Sequence, residues 1–393
     1  MIPDGWTLKK LGDLALVERG RFTARPRNDP DYFGGSFPFV QTGDVASAGT
    51  YLSSHSQTLN DKGLSVSKLF PKDTILLTIA ANIGETTIAS YNVACPDSVV
   101  GIQAYEKIAD VYWLKKVLET KKGDLDAQAT QNAQKNINLQ TLKPLAIATP
   151  PLEEQRKIAK ILSIWDEAIT ITESLLFNSK QQKKSLMGAL LKGKKRLPEF
   201  YENWGEFSFK KIFKERIETG NPKLPLLSIT SEGGVINRDN IGRKDTSNAD
   251  KSKYLRICQG DIGYNTMRMW QGVAGLSNQE GIVSPAYTVL TPQAEIDPLY
   301  AAYLFKLPEL IHVFYRYSQG MVSDTWNLKY SHFSKIKWFF PEVSEQKAIA
   351  SILSTADQEI EALRQKLACL KQEKKALMQQ LLTGKRRVKV EAA

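Results

Sequence analysis

A long segment of this chain occurs twice, and this duplication limits the folds that the chain can adopt. Residues 154–196 and 345–387 align without a gap at a constant offset of 191 positions. The identical pairs include Glu154 and Glu345, Gln155 and Gln346, Asp166 and Asp357, Lys183 and Lys374, and Gly193 and Gly384. Unrelated helices do not keep one register over about forty residues. The chain is therefore built from two variable halves, each followed by a similar helix.

The repeated segment has the pattern of a long helix that pairs with another helix. In both copies apolar residues recur at alternating spacings of four and three, which is the a/d stripe of a coiled coil. The residues predicted to form the pairing are Ile158, Leu162, Trp165, Ile169, Leu176, Leu186, Leu190, Ile349, Leu353, Ile360, Leu363, Leu367, Leu370, Leu377 and Leu381. Thr172, Ser179 and Lys183 interrupt the first stripe, and Lys374 interrupts the second.

Each stripe needs a partner that covers it. A helix of roughly 40 residues is about 60 Å long, and most of its stability must come from packing rather than from its own hydrogen bonds. The sequence favours antiparallel pairing of the two copies within one chain, which would relate the copies by a half-turn. The alternatives are that each stripe pairs with another protein or with a second copy of this chain.

The variable halves have mixed local patterns. Short β-rich runs such as 73–80 and 99–104 alternate with Gly, Asn and Ser turns, while 112–118 and 299–304 have the pattern of short helices. We expect an α+β fold, in which two domains of mixed α/β character are joined by two long helices that form an antiparallel coiled coil, as a pseudo-twofold tandem repeat. The expected boundaries are 1–149 for the first domain, 150–194 for the central long helix, 195–340 for the second domain, 341–384 for the C-terminal long helix and 385–393 for a basic tail.

The composition excludes several classes of protein. With 42% hydrophobic and 24% charged residues, the chain is neither mainly disordered nor a fibrous or disulfide-based scaffold. No apolar run approaches the roughly 18 residues of a membrane helix, and the first residues lack the order of a signal peptide. The three cysteines and three histidines lie far apart, so they predict neither a disulfide framework nor a zinc site. We expect a cytoplasmic, metal-free protein.

The net charge of +11 is concentrated in two places. Residues 180–196 carry seven basic and no acidic residues, and residues 371–393 carry seven basic and two acidic residues. These side chains could complement the negative end of the helix dipole. They could also contact nucleic-acid phosphate or an acidic partner. Seven charges exceed what a dipole needs, so both interpretations stay open.

The sequence offers no motif for catalysis. Residues 188–195, GALLKGKK, approach a phosphate-binding loop but lack its Ser or Thr and the preceding strand. Residues 149–152, TPPL, approach the Pro-Pro motif of amino-methyltransferases but lack its polar acceptor and its aromatic residue. Neither a nucleophile elbow nor an H-E-x-x-H sequence occurs. The sequence therefore argues against an enzyme.

Polar loops with interleaved aromatic and basic residues are the candidate DNA contacts. Loops 265–271 and 319–327 combine polar residues with Trp, and loop 128–136 is dense in Gln and Asn. Gln and Asn can bond the edge of adenine and Arg that of guanine, while an arginine run over 19–27 suits phosphate. The alternative for each loop is a solvated turn. The candidate residues are Arg19, Arg21, Arg25, Arg27, Gln131, Asn132, Gln134, Lys135, Asn136, Arg243, Lys244, Arg268, Trp270, Gln271, Gln319, Trp326 and Asn327.

The ends of the repeated helices resemble those of a known family. The helix entries read PPLEEQRKIAKIL and FPEVSEQKAIASIL, and the exits read KKSLMGALLKGKKR and KKALMQQLLTGKRR. The two halves open with GWTLKKLGDLA and ENWGEFSFKKIF. In this arrangement the chain resembles the specificity (S) subunit of type I restriction–modification systems over essentially its whole length.

The resemblance implies a role for each part of the chain. Each variable domain would be a target-recognition domain that reads one part of a split site in double-stranded DNA, and unlike halves imply an asymmetric target. The long helices would set the spacing and dock two methyltransferase subunits, which restriction subunits with helicase and nuclease activity could join. The chain itself would be non-catalytic and would bind no cofactor, because the methyl donor and any ATP would bind the partner subunits.

The charge of the variable domains limits how tightly the chain alone would bind DNA. Residues 1–149 carry 16 basic and 15 acidic residues, and residues 197–340 carry 17 and 15. Near-neutral domains attract DNA weakly, so we expect tight binding only with partner subunits. Two alternatives remain, namely a coiled-coil scaffold whose variable halves bind proteins, and a fused methyltransferase or nuclease.

Overall fold

The structure is a computed structural model that describes residues 2–129, 136–219, 221, 223–231, 233–241, 250–322 and 325–389. The chain divides into two compact units, each described by itself. Unit 1 comprises Met1–Glu173 and Gln365–Ala393, and unit 2 comprises Ser174–Arg364. Each unit therefore contains one variable half and a segment of both repeated helices, whereas the boundaries drawn from the sequence set each helix apart.

Unit 1 is built on short strands in two main sheets. Its strands are β1 (Thr7–Lys10), β2 (Ala15–Arg19), β3 (Phe33–Phe39), β4 (Tyr51–Leu52), β5 (Gln57–Leu59), β6 (Leu69–Phe70), β7 (Ile75–Thr78), β8 (Thr86–Ala89), β9 (Val93–Ala94), β10 (Val99–Ala104) and β11 (Ala146–Thr149). One sheet has the order β2-β10-β7-β8-β4, the other has the order β5-β3-β9-β6, and β1 pairs with β11. Strands β7 and β8 are buried throughout, so their sequences do not alternate between polar and apolar residues.

Helices pack against both main sheets of unit 1. They are α1 (Leu11–Leu14), α2 (Thr42–Ser47), α3 (Asp61–Ser65), α4 (Val111–Thr120), α5 (Lys122–Ala129), α6 (Leu139–Leu142) and the first part of α7 (Leu152–Leu190). Helix α4 begins where the Asp110 carboxylate accepts a hydrogen bond from the Trp113 N–H at 2.8 Å, which is an N-cap. Trp113 and Leu114 then pack in one core with Ile75 and Leu77 of β7. The helix predicted at 112–118 is confirmed.

Unit 2 repeats this plan with different sequences. Its elements are β12 (Gly205–Ser208), α8 (Phe209–Ile212), β13 (Phe213–Arg216), β14 (Leu227–Thr230), β15 (Gly234–Asn237), β16 (Leu255–Ile257), β17 (Ile262–Asn265), β18 (Ala274–Leu276), β19 (Gly281–Val283), β20 (Tyr287–Pro292), α9 (Pro298–Leu304), α10 (Pro308–Tyr317), α11 (Tyr330–Phe333), β21 (Lys337–Phe340) and the first part of α12 (Val343–Leu381). The largest sheet has the order β13-β20-β17-β18. Helix α9 is capped as α4 is, since the Asp297 carboxylate accepts from the Tyr300 N–H at 2.8 Å.

The long helices α7 and α12 have 39 residues each. Both are followed by a glycine with left-handed backbone, Gly193 at φ +65° and Gly384 at φ +68°. A residue with a Cβ atom is strained in this conformation, and glycine there is a common way to end a helix. The helices therefore end a few residues before the boundaries predicted at 194 and 384.

The segments of the two long helices pack antiparallel within each unit. The polar contacts across them are Asp166 with Lys374 and Glu173 with Lys371 in unit 1, and Lys183 with Asp357 and Ser179 with Glu359 in unit 2. In both units, residue numbers rise along one helix as they fall along the other. The predicted antiparallel coiled coil is confirmed.

The residues of the predicted stripe are covered to different degrees. Ile158, Leu162, Leu190, Ile349, Leu353, Ile360 and Leu381 are buried. Trp165, Ile169, Leu176, Leu186, Leu363, Leu367, Leu370 and Leu377 are half-buried. Thr172, which interrupts the stripe, is also buried, and its hydroxyl donates to the Ala168 carbonyl at 2.7 Å. A threonine can therefore occupy a stripe position when its own helix satisfies the hydroxyl.

Candidate nucleic-acid interface

Two of the arginines predicted to contact phosphate converge on one aspartate in unit 1. Arg19 Nε donates to the Asp97 carbonyl, and Arg27 Nη2 donates to the Asp97 carboxylate at 2.9 Å. A guanidinium carries five N–H donors, and half of the Arg27 side chain is exposed. Asp97 therefore holds both arginines in place while leaving donors that can meet a phosphate.

The other two arginines of this run bind main-chain carbonyls. Arg21 donates to the Ser67 carbonyl from Nη2 at 2.9 Å and from Nε at 3.3 Å. Arg25 donates to the neighbouring Ala24 carbonyl at 2.7 Å. Both residues lie on the surface. The run is therefore a set of anchored side chains rather than a flexible basic loop.

The predicted contacts on loop 128–136 are mostly outside the described residues. Gln131, Asn132, Gln134 and Lys135 lie there, as do Arg243 and Lys244 in the other half. Asn136 is described, and it forms an antiparallel bridge with Ala80. Its side-chain oxygen is buried and has no hydrogen-bond partner among the described residues. Asn136 therefore does not present this oxygen to solvent.

Unit 2 brings two predicted loops together. The indole rings of Trp270 and Trp326 lie 5.2 Å apart between centroids, edge to face. Trp270 sits in a 3-10 turn, Met269–Gln271, and its Nε1 donates to the Met267 carbonyl at 3.0 Å. Arg268, which precedes this turn, and Gln271, its last residue, are exposed. The paired indoles thus form a fixed support beside which one arginine and one glutamine are exposed.

The second loop of this pair is closed by its own hydrogen bonds. The Gln319 and Asn327 N–H groups each donate to the carbonyl of the other residue at 2.8 Å. The Asn327 side-chain amide donates to the carbonyls of Gln319 and Thr325 at 3.2 and 3.1 Å. Asn327 therefore stabilises the loop, and Arg268 and Gln271 are the predicted residues that remain most available to a base edge.

A pair of glutamines in unit 1 was missed by the sequence analysis. Gln41 Nε2 donates to Gln57 Oε1 at 3.0 Å. The pair lies at a cleft of about 330 Å³, which is also lined by Phe22, Phe33 and Arg27. The pairing of β3 with β5 brings the two glutamines together, although they lie sixteen positions apart in the sequence. No periodicity or motif in the sequence signals it.

A buried glutamate at the start of each long helix binds an arginine and a tryptophan, and each of these three-residue clusters is called a junction. In unit 1, Arg387 donates to both carboxylate oxygens of Glu154 at 2.7 and 2.8 Å, and Trp6 Nε1 donates to it at 3.2 Å. The matching contacts of unit 2 join Arg196 and Trp204 to Glu345 at 2.7, 2.8 and 3.3 Å. The glutamates and the arginines are related by the offset of 191, and the tryptophans, 198 positions apart, complete the same contacts.

The glutamine that follows each glutamate also makes matching hydrogen bonds in the two units. The Gln155 amide accepts from the Asp110 N–H at 2.9 Å and donates to the Pro150 carbonyl at 3.0 Å. Gln346 makes the matching bonds to the Asp297 N–H at 2.8 Å and to the Pro341 carbonyl at 2.8 Å. The amide thereby ties the helix start to the N-cap of α4 in unit 1 and of α9 in unit 2.

Lysines that interrupt the apolar stripes bind aspartates of the other copy. Asp166 accepts from Lys374 and from the Tyr112 hydroxyl. Asp357 lies 2.5 Å from Lys183, and it accepts from the Tyr303 hydroxyl at 2.7 Å. Part of each basic stretch therefore forms ion pairs within a unit. This is a third role, beside complementing the helix dipole and contacting phosphate or an acidic partner.

The sequence comparisons identify the family. Residues 3–177 and 201–372 both match the family described as the type I restriction modification DNA specificity domain. The chain belongs to this family. Its two halves are accordingly the DNA-recognition domains of a type I restriction–modification specificity subunit, and the resemblance inferred from the helix ends is confirmed.

Individual relatives agree with this assignment. The type I restriction enzyme MjaVIII specificity subunit of Methanocaldococcus jannaschii is 24% identical over 420 residues, which cover 99% of this chain and 94% of the relative. Among solved structures, an S subunit from M. genitalium superimposes with a TM-score of 0.61 at 17% identity, covering 97% of this chain and 96% of the other. The HsdS subunit from Thermoanaerobacter tengcongensis does so with a TM-score of 0.52 at 16% identity, covering 98% of each chain. These structures support the fold.

The specificity subunit adds a buried lysine to the helix contact in unit 1. Lys116 Nζ lies 2.8 Å from Asp166 and 3.1 Å from Glu119, and 1% of its side chain is exposed. At the offset of 191, unit 2 has Leu307, which is buried in an apolar core. Burial raises the pKa of Asp166, but Lys116 and the hydrogen bonds from Lys116, Lys374 and Tyr112 outweigh it and lower the pKa below its usual range.

Both units of the specificity subunit also hold a lysine with a lowered pKa. Burial, and then the charge of Lys116, lower the pKa of Lys115 to about 8. Burial alone lowers the pKa of Lys306, at the offset of 191, to about 8. Lys306 Nζ donates to the carbonyls of Ser231 and Gly272 at 3.0 and 2.8 Å. These carbonyl partners of Lys306 are neutral, so no carboxylate among them offsets the charge of its ammonium group.

Membrane-spanning helices and metal-binding clusters are absent from the described residues. None of the helices formed by these residues is long and apolar enough to cross a membrane. Within the same part of the chain, no three or more His, Cys, Asp and Glu side chains lie together as they would around a metal ion.

Proposed function

We propose that this specificity subunit reads one part of a split, asymmetric site in double-stranded DNA with each unit. It docks two methyltransferase subunits, through which restriction subunits join. It supplies no catalytic group of its own, and the methyl donor and any ATP bind the partner subunits. The observation that carries the proposal is the duplicated helix junction, in which Glu154 and Glu345 hold matching partners.

A duplicated junction favours two copies of one partner. Sequence and contacts repeat together, so a protein that recognises the surface beside Glu154 would meet a similar surface beside Glu345. One of the structures with a similar fold comes from a study described as the structural basis of complex assembly of the type I R-M system, and it has a TM-score of 0.59 at 17% identity and covers 98% of this chain and all of the other. This supports assembly with other subunits, for which the repeated junctions offer two similar surfaces.

Unlike recognition surfaces favour an asymmetric target. In unit 1 the candidate contacts are arginines anchored on Asp97 and Ser67. In unit 2 they are Arg268 and Gln271 beside the Trp270 indole. Arginine and glutamine prefer different bases, and the two surfaces share no side-chain arrangement. Each unit would therefore read its own sequence.

Methylome sequencing tests the proposal. The chain is produced with its methyltransferase subunit in a host without a similar system, and methylated sites are mapped. We expect a motif of two unlike parts separated by unspecified bases, and no methylation when either component is missing. Replacing Arg268 and Gln271 by alanine should relax one part only, at roughly tenfold or more in discrimination per lost base contact. The proposal fails if the methylome is the same with and without the chain, or if the chain methylates DNA alone.

A further inference from the structure

We propose that the paired glutamines of unit 1, Gln41 and Gln57, read the major-groove edge of one adenine. The inference rests on the proposed function, because it requires unit 1 to contact DNA. It goes further in naming the residues that read a base and the base that they prefer. The argument uses the chemistry of the amide pair, its rigid support and the apolar cleft beside it.

The amide pair places N–H donors beside an acceptor oxygen. One N–H of Gln41 is used by the 3.0 Å bond to Gln57 Oε1. This leaves an acceptor lone pair on Gln41 Oε1, whose amide also belongs to the capping box of α2, and N–H donors on Gln57 Nε2. Exchanging the oxygen and nitrogen of both amides gives the same result, since the roles then swap between the two residues.

Adenine is the base that matches this pair. In the major groove adenine offers the N7 acceptor beside the N6 donor, so both free groups of the glutamines find a partner. Guanine offers two acceptors there, and one of them would face the amide oxygen. Cytosine offers a donor alone, and thymine an acceptor and a methyl group. Each of these three bases leaves part of the pair unsatisfied.

The pair is held on rigid elements. Gln57 belongs to β5, in register with Phe39 of β3. Gln41 precedes α2, where its N–H donates to Asp44 Oδ2 at 2.8 Å. The Ser56 hydroxyl donates to the same carboxylate oxygen at 2.9 Å. Asp44 thus fixes the main chain on both sides of the amide pair, and base readout needs such fixed positions.

The surroundings of the pair suit an A·T base pair beside a DNA backbone. Gln41 and Gln57 share their cleft with Phe22 and Phe33, whose ring centroids are 5.7 Å apart. An apolar wall of this kind favours the methyl group of the thymine that pairs with adenine. Arg27 lines the same cleft and keeps unused guanidinium donors for a phosphate.

Variants of Gln57 test the inference in the assembled complex with its methyltransferase subunit. Mapping of methylated sites should give the wild type a required adenine at one position of the part read by unit 1. Gln57→Ala should lower discrimination at that position roughly tenfold or more. Gln57→Glu, which accepts but does not donate, should shift the preference toward cytosine. Gln140→Glu is the matched control, because Gln140 is an exposed glutamine elsewhere in unit 1, and it should leave the motif unchanged.

The outcomes separate this inference from the proposed function. A wild-type motif in the Gln57→Ala complex, or a change confined to the part read by unit 2, overturns the inference and leaves the proposed function intact. If the wild-type complex has no sequence preference, the proposed function fails first. If Gln57→Ala abolishes methylation, binding to duplexes randomised at the site decides. Retained preference for adenine overturns the inference, and loss of that preference supports it.

Discussion

The two units have the same junction but differ in the contact between the long helices. In each, a buried glutamate binds an arginine and a tryptophan, and an aspartate further along the helix binds a lysine and a tyrosine. In unit 1 that aspartate also binds the buried Lys116 of α4, whereas in unit 2 the partners of the aspartate among the described residues are Lys183 and Tyr303. Contacts that occur in both units form a common structural frame. Contacts that occur in one unit alone are specific to that half of the chain.

The largest expected effect concerns the two aspartates. Asp166→Asn should lower the free energy of unfolding by about 3 kcal/mol, because it leaves the Lys116 charge buried with a weaker set of partners. Asp357→Asn should cost about 1 kcal/mol, since Lys183 is partly exposed and can turn to water. Urea unfolding of both variants measures the difference. Equal losses would contradict a distinct role for Lys116.

The glutamates should behave alike. Glu154→Gln and Glu345→Gln each remove the charge from a carboxylate that binds an arginine and an indole, so each should cost about 2 kcal/mol. Glu153→Gln is the control, because Glu153 is exposed and its ion pair with Arg156 is worth about 0.5 kcal/mol or less. Urea unfolding checks all three variants. A loss in one glutamate variant without a loss in the other would break the equivalence of the junctions.

The smallest expected effect is a dependence on pH in unit 2. The pKa of Lys306 is lowered to about 8 in the folded chain from the usual value of 10.5, so the unfolded chain binds more protons between these values. Stability due to this group therefore rises as the pH rises through 8. Relative to Lys306→Met, the wild type should become more stable between pH 7 and 9.5 in thermal unfolding. A constant difference over this range would count against a buried, charged Lys306.

The periodic parts of the fold could be predicted from the sequence. The repeat and its apolar spacing are local signals, and they were sufficient for the two long helices and their antiparallel pairing. The lysines at 183 and 374 were taken as interruptions of the stripe. These lysines form ion pairs with Asp357 and Asp166. The pairs become visible in the sequence only when the two copies are aligned antiparallel.

The recognition surfaces could be predicted only in part. Loop 265–271 was identified by its composition, but its contact with Trp326 depends on tertiary structure. The arginines over 19–27 were predicted as phosphate contacts from their composition, but this composition does not signal their partners Asp97 and Ser67, which lie far along the chain. The Gln41–Gln57 contact arises from strand register, which side-chain composition does not encode.

The resemblance implies that the paired helices set the separation of the two DNA parts that we propose this chain reads. Both α7 and α12 contribute to both units. The most direct test inserts seven residues into each helix, between 173 and 174 and between 364 and 365, which preserves the apolar stripe and lengthens each helix by about 10 Å. Methylome sequencing should then give the same two parts with a spacer longer by about three base pairs. Methylation at the original spacer would contradict the account.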